Sequence, residues 1–276
     1  MNKISRIGLG TVQFGLPYGI SNKLGQPDKK SVAEVLELAK TSGIKMIDTA
    51  SAYGTAELVL GSIGVQDFHV VSKYMPPESY MSIDEQVHQS LERLQCDHLY
   101  GYLAHRPQNI VKRPEQWEAL QLLKQEGFVG KIGFSLNEPA ELDALLELGM
   151  IPDLIQVPVN YFDRRFVSYF DELKSIGTEI HGRSAFLQGL FFLKEFESRF
   201  DPVRDVIRNL QSSISNLPAA LLNYVLSDTR IDTVLIGVQN VTQLRDIIVG
   251  LDESESLPEL NMDISDEIVM PSKWSH

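Results

Sequence analysis

The sequence predicts an α/β fold, a (β/α)8 TIM barrel, with residues 1–276 forming a single domain. Three observations carry that reading. Short apolar runs without strict alternation recur along the chain, as strands buried on both faces require. Segments of helical period lie between them. The length of 276 residues suits one such barrel, and no linker rich in Pro, Gly or Ser divides the chain. The rival at fold level is an open doubly wound sheet, but no glycine-rich fingerprint follows a strand to support it.

The elements follow in order. Residues 7–10 form the first strand run. Ser31 and Glu34 read as a capping box that opens a helix bearing Val32, Val35, Leu36 and Ala39, with a stop at Gly43. Residues 45–48 and 70–73 are the second and third runs. Ser82 and Glu85 repeat the cap before Val87, Leu91 and Leu94. Residues 99–103 are the fourth run, followed by Trp117, Leu120 and Leu123 on one helical face before Gly127. Residues 131–134 precede a helix with Leu142, Leu145 and Leu146 that stops at Gly149. Residues 154–157 precede Phe166, Phe170 and Leu173, with a stop at Gly177. Residues 179–184 and 233–236 complete the set. Between these last two, the irregular stretch 187–216 reads equally as a lid over the site or as an extra helix packed on the barrel side. Pro218 then opens a helix with Leu221, Leu222 and Val225.

Composition narrows the function. The chain is 43% hydrophobic and 22% charged, with a net charge of −12. No cluster of Lys and Arg is present to bind a phosphate backbone, which argues against nucleic acid, and the sign of the charge argues against an anionic membrane surface. The acidic residues near the C-terminus read as a solubilising surface. One cysteine, Cys96, makes neither an internal disulfide nor a thiolate metal cage. His105 and His181 form no metal-ligand spacing with Asp48, so no metal is expected. The first residues lack the apolar core of a secretory signal, and no apolar run spans a bilayer. A cytoplasmic location is the resulting expectation.

In a barrel of this type the chemistry sits where strands end. The second run ends in Asp48, with Tyr53 five residues later, and the third ends in Lys73. His105 follows the fourth. Each of these residues alone has a commoner structural explanation, as a cap, a surface group or a packed ring. Together, from adjacent strand units, they make a site. A tyrosine hydroxyl ionises near ~10, and a neighbouring ammonium favours the phenolate. Lys73 supplies that ammonium, Asp48 compensates its burial, and His105 orients a carbonyl oxygen. Such a group can protonate a carbonyl oxygen as hydride reaches the carbon.

With these residues in place, the chain resembles the aldo-keto reductase family, from Gly8-Leu9-Gly10-Thr11 to the helix after Gly237. The resemblance is most specific in the order Asp48, Tyr53, Lys73, His105. It implies Tyr53 as general acid/base, Lys73 tuning it, Asp48 supporting Lys73 and His105 orienting substrate. It further implies an NADP(H) or NAD(H) cofactor bound without a Rossmann fold. Ser135 and Gln156 resemble the family's carboxamide contacts. Ser184, Phe186 and Gln188 fall where the family wraps the pyrophosphate, and Gly237, Gln239 and Gln243 fall at its adenosine-phosphate site. Thr11, after the first strand, belongs to the same implied cofactor set. Arg183 stands where many members stack an aromatic ring on the nicotinamide. No cation lies between Gly237 and Gln243, where members often hold the 2′-phosphate of NADP.

The function expected is therefore an oxidoreductase interconverting an aldehyde or ketone, sugar-like compounds included, and its alcohol, with the small molecule as its partner. Two alternatives stay open. One is a cofactor-binding accessory or redox-sensing subunit with little turnover. The other is a lyase forming a Schiff base on Lys73.

Overall fold

The computed structural model describes residues 2–76 and 81–274. Its strands are β1 (Ile7–Gly10), β2 (Met46–Asp48), β3 (His69–Tyr74), β4 (Leu99–Ala104), β5 (Val129–Ser135), β6 (Leu154–Pro158), β7 (Glu179–Arg183) and β8 (Thr233–Gly237). All eight pair in parallel, in chain order, and β1 pairs with both β2 and β8, so the sheet closes into a barrel. Helices separate successive strands, which makes the (β/α)8 barrel that the alternation predicts.

The strand runs fall where the apolar pattern puts them, with one informative difference. β7 stops at Arg183 rather than Ser184, because Ser184 adopts a φ of 63° and leaves the extended region. One cap is also reassigned. The Lys29–Ser42 helix begins at Asp28, whose carboxylate accepts the Ser31 N–H at 2.8 Å, so Ser31 and Glu34 lie inside the helix and form no capping box. The Ser82–Glu85 box is present, with both reciprocal bonds made.

Strand side chains alternate between the barrel interior and the helix layer. Met46, Val71, Leu103, Leu154 and Leu235 form a buried cluster of their own. Gly8 faces this cluster, since a Cβ there would meet Leu235 and Met46 side chains. Two residues further along their strands, Asp48, Lys73 and Gln156 share the same inward face. Apolar packing thus fills the middle of the barrel and leaves a polar layer at the C-terminal mouth. At the opposite mouth Glu179 accepts from Tyr100 OH at 2.7 Å, contacts His181 Nε2 at 2.6 Å and pairs with Lys131. Burial pushes the Glu179 carboxyl up, but His181, Lys131 and Tyr100 together hold it down at about 2.

The 187–216 stretch contains the extra packed helix of its two expected readings. The Asp201–Ser213 helix buries Val203, Ile207 and Leu210 in a second core with Leu217, Leu221 and Trp274. The segment before it brings Gln188, Gly189 and Phe192 to the cleft at the barrel mouth. No helix among the described residues is long and apolar enough to cross a membrane.

Candidate functional site

The polar layer at the C-terminal mouth is organised around one buried ion pair. Lys73 is 1% exposed, and its Nζ lies 2.7 Å from each oxygen of Asp48. A charge so far from water needs compensation, and Asp48 supplies it. Lys73 also donates to the Thr49 carbonyl at 2.9 Å. Gln156 donates its amide to the other side of the same pair, at Asp48 Oδ1. The Thr11 hydroxyl and N–H both bind the Asp48 carbonyl, at 2.9 and 3.0 Å, which fixes the end of β2 against the turn after β1.

Tyr53 sits over this pair. Its hydroxyl is 3.5 Å from Lys73 Nζ, and the ammonium lies 5.1 Å from its ring centroid. The backbone around it is held by a close approach from the neighbouring turn. At Gly15 a Cβ would fall 1.8 Å from the Tyr53 carbonyl oxygen, so only glycine lets the Val12–Gly15 turn pack there. The His105 ring meets Tyr53 edge-on at 5.7 Å between centroids. Burial, with Lys73, Arg183 and Arg106 adding to it, pushes His105 down to about 3. The imidazole is therefore neutral at physiological pH, and its buried Nδ1 makes no hydrogen bond among the described residues.

These groups open onto a cleft of about 1070 Å³. Asp48, Tyr53 and His105 line it, with Thr11, Ser135, Arg183, Ser184, Phe186, Gln188, Gly237, Gln239 and Gln243. Two of the residues singled out in the sequence do not reach its surface. Lys73 and Gln156 lie beneath it and act on it through Asp48 and Tyr53. Arg183 binds the Leu136 carbonyl and Asn137 Oδ1, both at 2.7 Å, and so spans from the end of β7 to the loop after β5. Ser184, Leu187 and Gln188 all have positive φ, and a side chain on Gly189 would strike the Ser21 hydroxyl at 1.9 Å. Three non-glycine residues in that region cost ~1–3 kcal/mol each and persist only where their surroundings dictate them.

The wall contains residues that strand-end reasoning missed. Gln13 lines it from the Val12–Gly15 turn, Tyr18, Met75 and Arg106 from loops, and Met270 and Ser272 from the C-terminal segment. Arg106 directly follows His105, already noticed, so its position was a usable signal. The others reach the cleft by chain path alone. Burial pushes the Tyr18 hydroxyl up to about 12, which keeps it a neutral donor at the rim. Among the described residues no cluster of His, Cys, Asp and Glu is arranged to hold a metal.

Comparison with known proteins identifies the fold and the family. The profile of the aldo/keto reductase family matches residues 6–269. The aldo-keto reductase YhdN of Bacillus subtilis is 30% identical over 176 residues, which are 58% of this chain and 51% of that protein. That alignment spans about half the relative's length. L-galactose dehydrogenase of Arabidopsis thaliana is 26% identical over 92% of this chain and 86% of its own. Among solved structures, the holo form of aldo-keto reductase AKR11C1 from Bacillus halodurans superposes with a TM-score of 0.72 at 24% identity, covering 92% of this chain and 88% of that one. An aldo/keto reductase from Klebsiella pneumoniae, solved with NADP and acetate, gives 0.66 at 18% identity, covering 96% and 88%. The profile match runs from the residue before β1 to the helix that follows the acidic C-terminal stretch, and it includes the whole barrel and all four polar residues at its mouth. This chain belongs to the aldo/keto reductase family.

Proposed function

We propose that the chain, as one barrel domain over residues 1–276, is a cytoplasmic oxidoreductase that interconverts an aldehyde or ketone and its alcohol with a nicotinamide cofactor. The observation that carries this reading is the Tyr53 hydroxyl, set at the cleft surface 3.5 Å from an ammonium that Asp48 holds at 2.7 Å.

The cleft suits an extended polar cofactor. Gln13 Oε1, Arg183 Nε and Gln239 Nε2 are buried without a hydrogen-bond partner among the described residues, although all three residues line the cleft. The left-handed residues at Ser184, Leu187 and Gln188 are of the kind that turns successive N–H groups to one side, as an anion requires. Ser135 and Arg183 would hold the nicotinamide end, Ser184, Phe186 and Gln188 the pyrophosphate, and Gly237, Gln239 and Gln243 the adenosine, with Thr11 beneath. A bound nicotinamide supplies or accepts the hydride.

The protein's own residues handle the proton and the charge. Tyr53 gives its hydroxyl proton to the carbonyl oxygen in reduction and recovers it in oxidation. Lys73 faces the charge left on the Tyr53 oxygen, at a site where burial strengthens the interaction. Asp48 and Gln156 keep the ammonium in place. His105, neutral, donates a ring N–H to the substrate oxygen and orients it.

Burial of Lys73 disfavours the Schiff-base alternative. Its amine is bonded to Asp48 and Thr49 and does not line the cleft, whereas a nucleophilic amine must be neutral and reach the substrate. The direct test is Tyr53→Phe, assayed with an aldehyde panel and by cofactor titration. Turnover is expected to vanish while cofactor binding persists. Full turnover in that variant would overturn the assignment.

A further inference from the structure

We propose that the cleft selects NAD(H) over NADP(H), and that Gln239 and Gln243 set the selection. This rests on the cofactor reading above. The two forms differ by one group, a 2′-phosphate, which carries close to two negative charges near neutrality. A site that takes it must offer cations or several free N–H donors.

A dinucleotide with its reacting ring at Tyr53 must run its other nucleotide along the cleft toward the phosphate-binding loops of a barrel, those after the seventh and eighth strands. In this chain that end is built from Gly237, Val238, Gln239, Gln243, Asp246 and Pro218. Among the described residues it contains no lysine or arginine. Arg245, the one cation on the Val241–Gly250 helix, does not line the cleft. It lies two residues from Gln243, about 200° around the helix and so on its far side. Asp246 lies three residues from Gln243, on the same face, and does line the cleft. A phosphate there would therefore meet a carboxylate and no compensating cation.

Two N–H donors around the start of this helix are already engaged and offer a phosphate nothing. Gln243 N–H donates to Asn240 Oδ1 at 3.0 Å. Gln239 N–H donates to Gln243 Oε1 at 2.8 Å. A ribose 2′-hydroxyl makes a different demand. It is neutral and both donates and accepts, so a carboxamide suits it. Among the described residues the Gln239 amide nitrogen has no partner, a buried donor left over at this end of the cleft.

The experiment is a fluorescence titration of the purified full chain with NADH and NADPH, for the wild type, Gln239→Arg and Gln243→Arg. The wild type is expected to bind NADH at least tenfold tighter. At least one of the arginine variants is expected to shift the NADPH-to-NADH affinity ratio tenfold or more toward NADPH, with the gain fading at high salt as a charge interaction must. Equal affinities, or tighter NADPH, in the wild type would overturn the selection while leaving the oxidoreductase reading intact. An unchanged ratio in both variants would remove Gln239 and Gln243 from it. Binding of neither nucleotide to protein shown folded by circular dichroism would overturn this inference and the cofactor reading together.

Discussion

Replacing Lys73 by Met separates what the buried pair does for stability from what it does for chemistry. Lys73 and Asp48 are 1% and 5% exposed, so neither charge can turn to water when the other is removed. Lys73→Met leaves the Asp48 carboxylate with Gln156 as its remaining side-chain donor among the described residues. Breaking a buried pair from one side costs about 3–5 kcal/mol. Asp48→Asn breaks it from the other side, strands the ammonium and costs about the same. The double variant buries no charge, and neutral replacement of a buried pair is often close to neutral in stability, so it should lie within about 2 kcal/mol of the wild type. Two singles that together cost about 6–10 kcal/mol then imply a coupling of at least about 4 kcal/mol. The assay is guanidinium unfolding at pH 7, followed by far-UV circular dichroism. Turnover should be lost in all three proteins, because none retains an ammonium paired with a carboxylate beside Tyr53. Additive losses, with the double variant the least stable, would refute the pairing argument. Recovered turnover in the stable double variant would refute the role of Lys73.

Further expectations concern other parts of the site and its scaffold. His105 sits at about 3 in the fold against an ordinary 6.5, so the unfolded chain binds its proton first as pH falls. Stability is therefore lost between those two values, by at most about 1.4 kcal/mol per pH unit, and His105→Gln should flatten that part of a pH-dependent unfolding series. Gly15→Ala places a Cβ 1.8 Å from the Tyr53 carbonyl and should lower kcat about 100-fold by moving Tyr53, with the circular dichroism spectrum retained. Glu179→Ala removes the group that ties Lys131, Tyr100 and His181 at the far mouth. It should cost about 3 kcal/mol in denaturant unfolding and leave kcat and KM within about twofold, since nothing there touches the cleft.

What the sequence revealed follows from how the barrel is built. Strands buried on both faces leave continuous apolar runs, so all eight were legible, and the polar residues at the ends of the second, third and fourth runs marked the C-terminal mouth. The convergence of Asp48, Tyr53, Lys73 and His105 was legible for that reason. The start of the Lys29–Ser42 helix was not, because Asp28 and Ser31 are both good caps and only backbone geometry chooses between them. The early end of β7 depends on a left-handed Ser184, a conformation imposed by packing rather than by residue type. Lys73 and Gln156 were read as part of the site, but their place beneath the cleft surface comes from the inward alternation of β3 and β6. Tyr18, Met75 and Met270 reach the wall on loops, whose course no periodicity encodes.

The proposed role of Tyr53, moving a proton in step with a hydride, can be tested by isotope transfer. Wild-type protein and Tyr53→Phe are incubated with each 4-deuterated diastereomer of NADH or NADPH and a panel of aldehydes, and the alcohols are analysed by mass spectrometry. Deuterium is expected on the alcohol carbon with the wild type, from one diastereomer, and none with Tyr53→Phe. Equal deuterium transfer by both proteins would contradict that role.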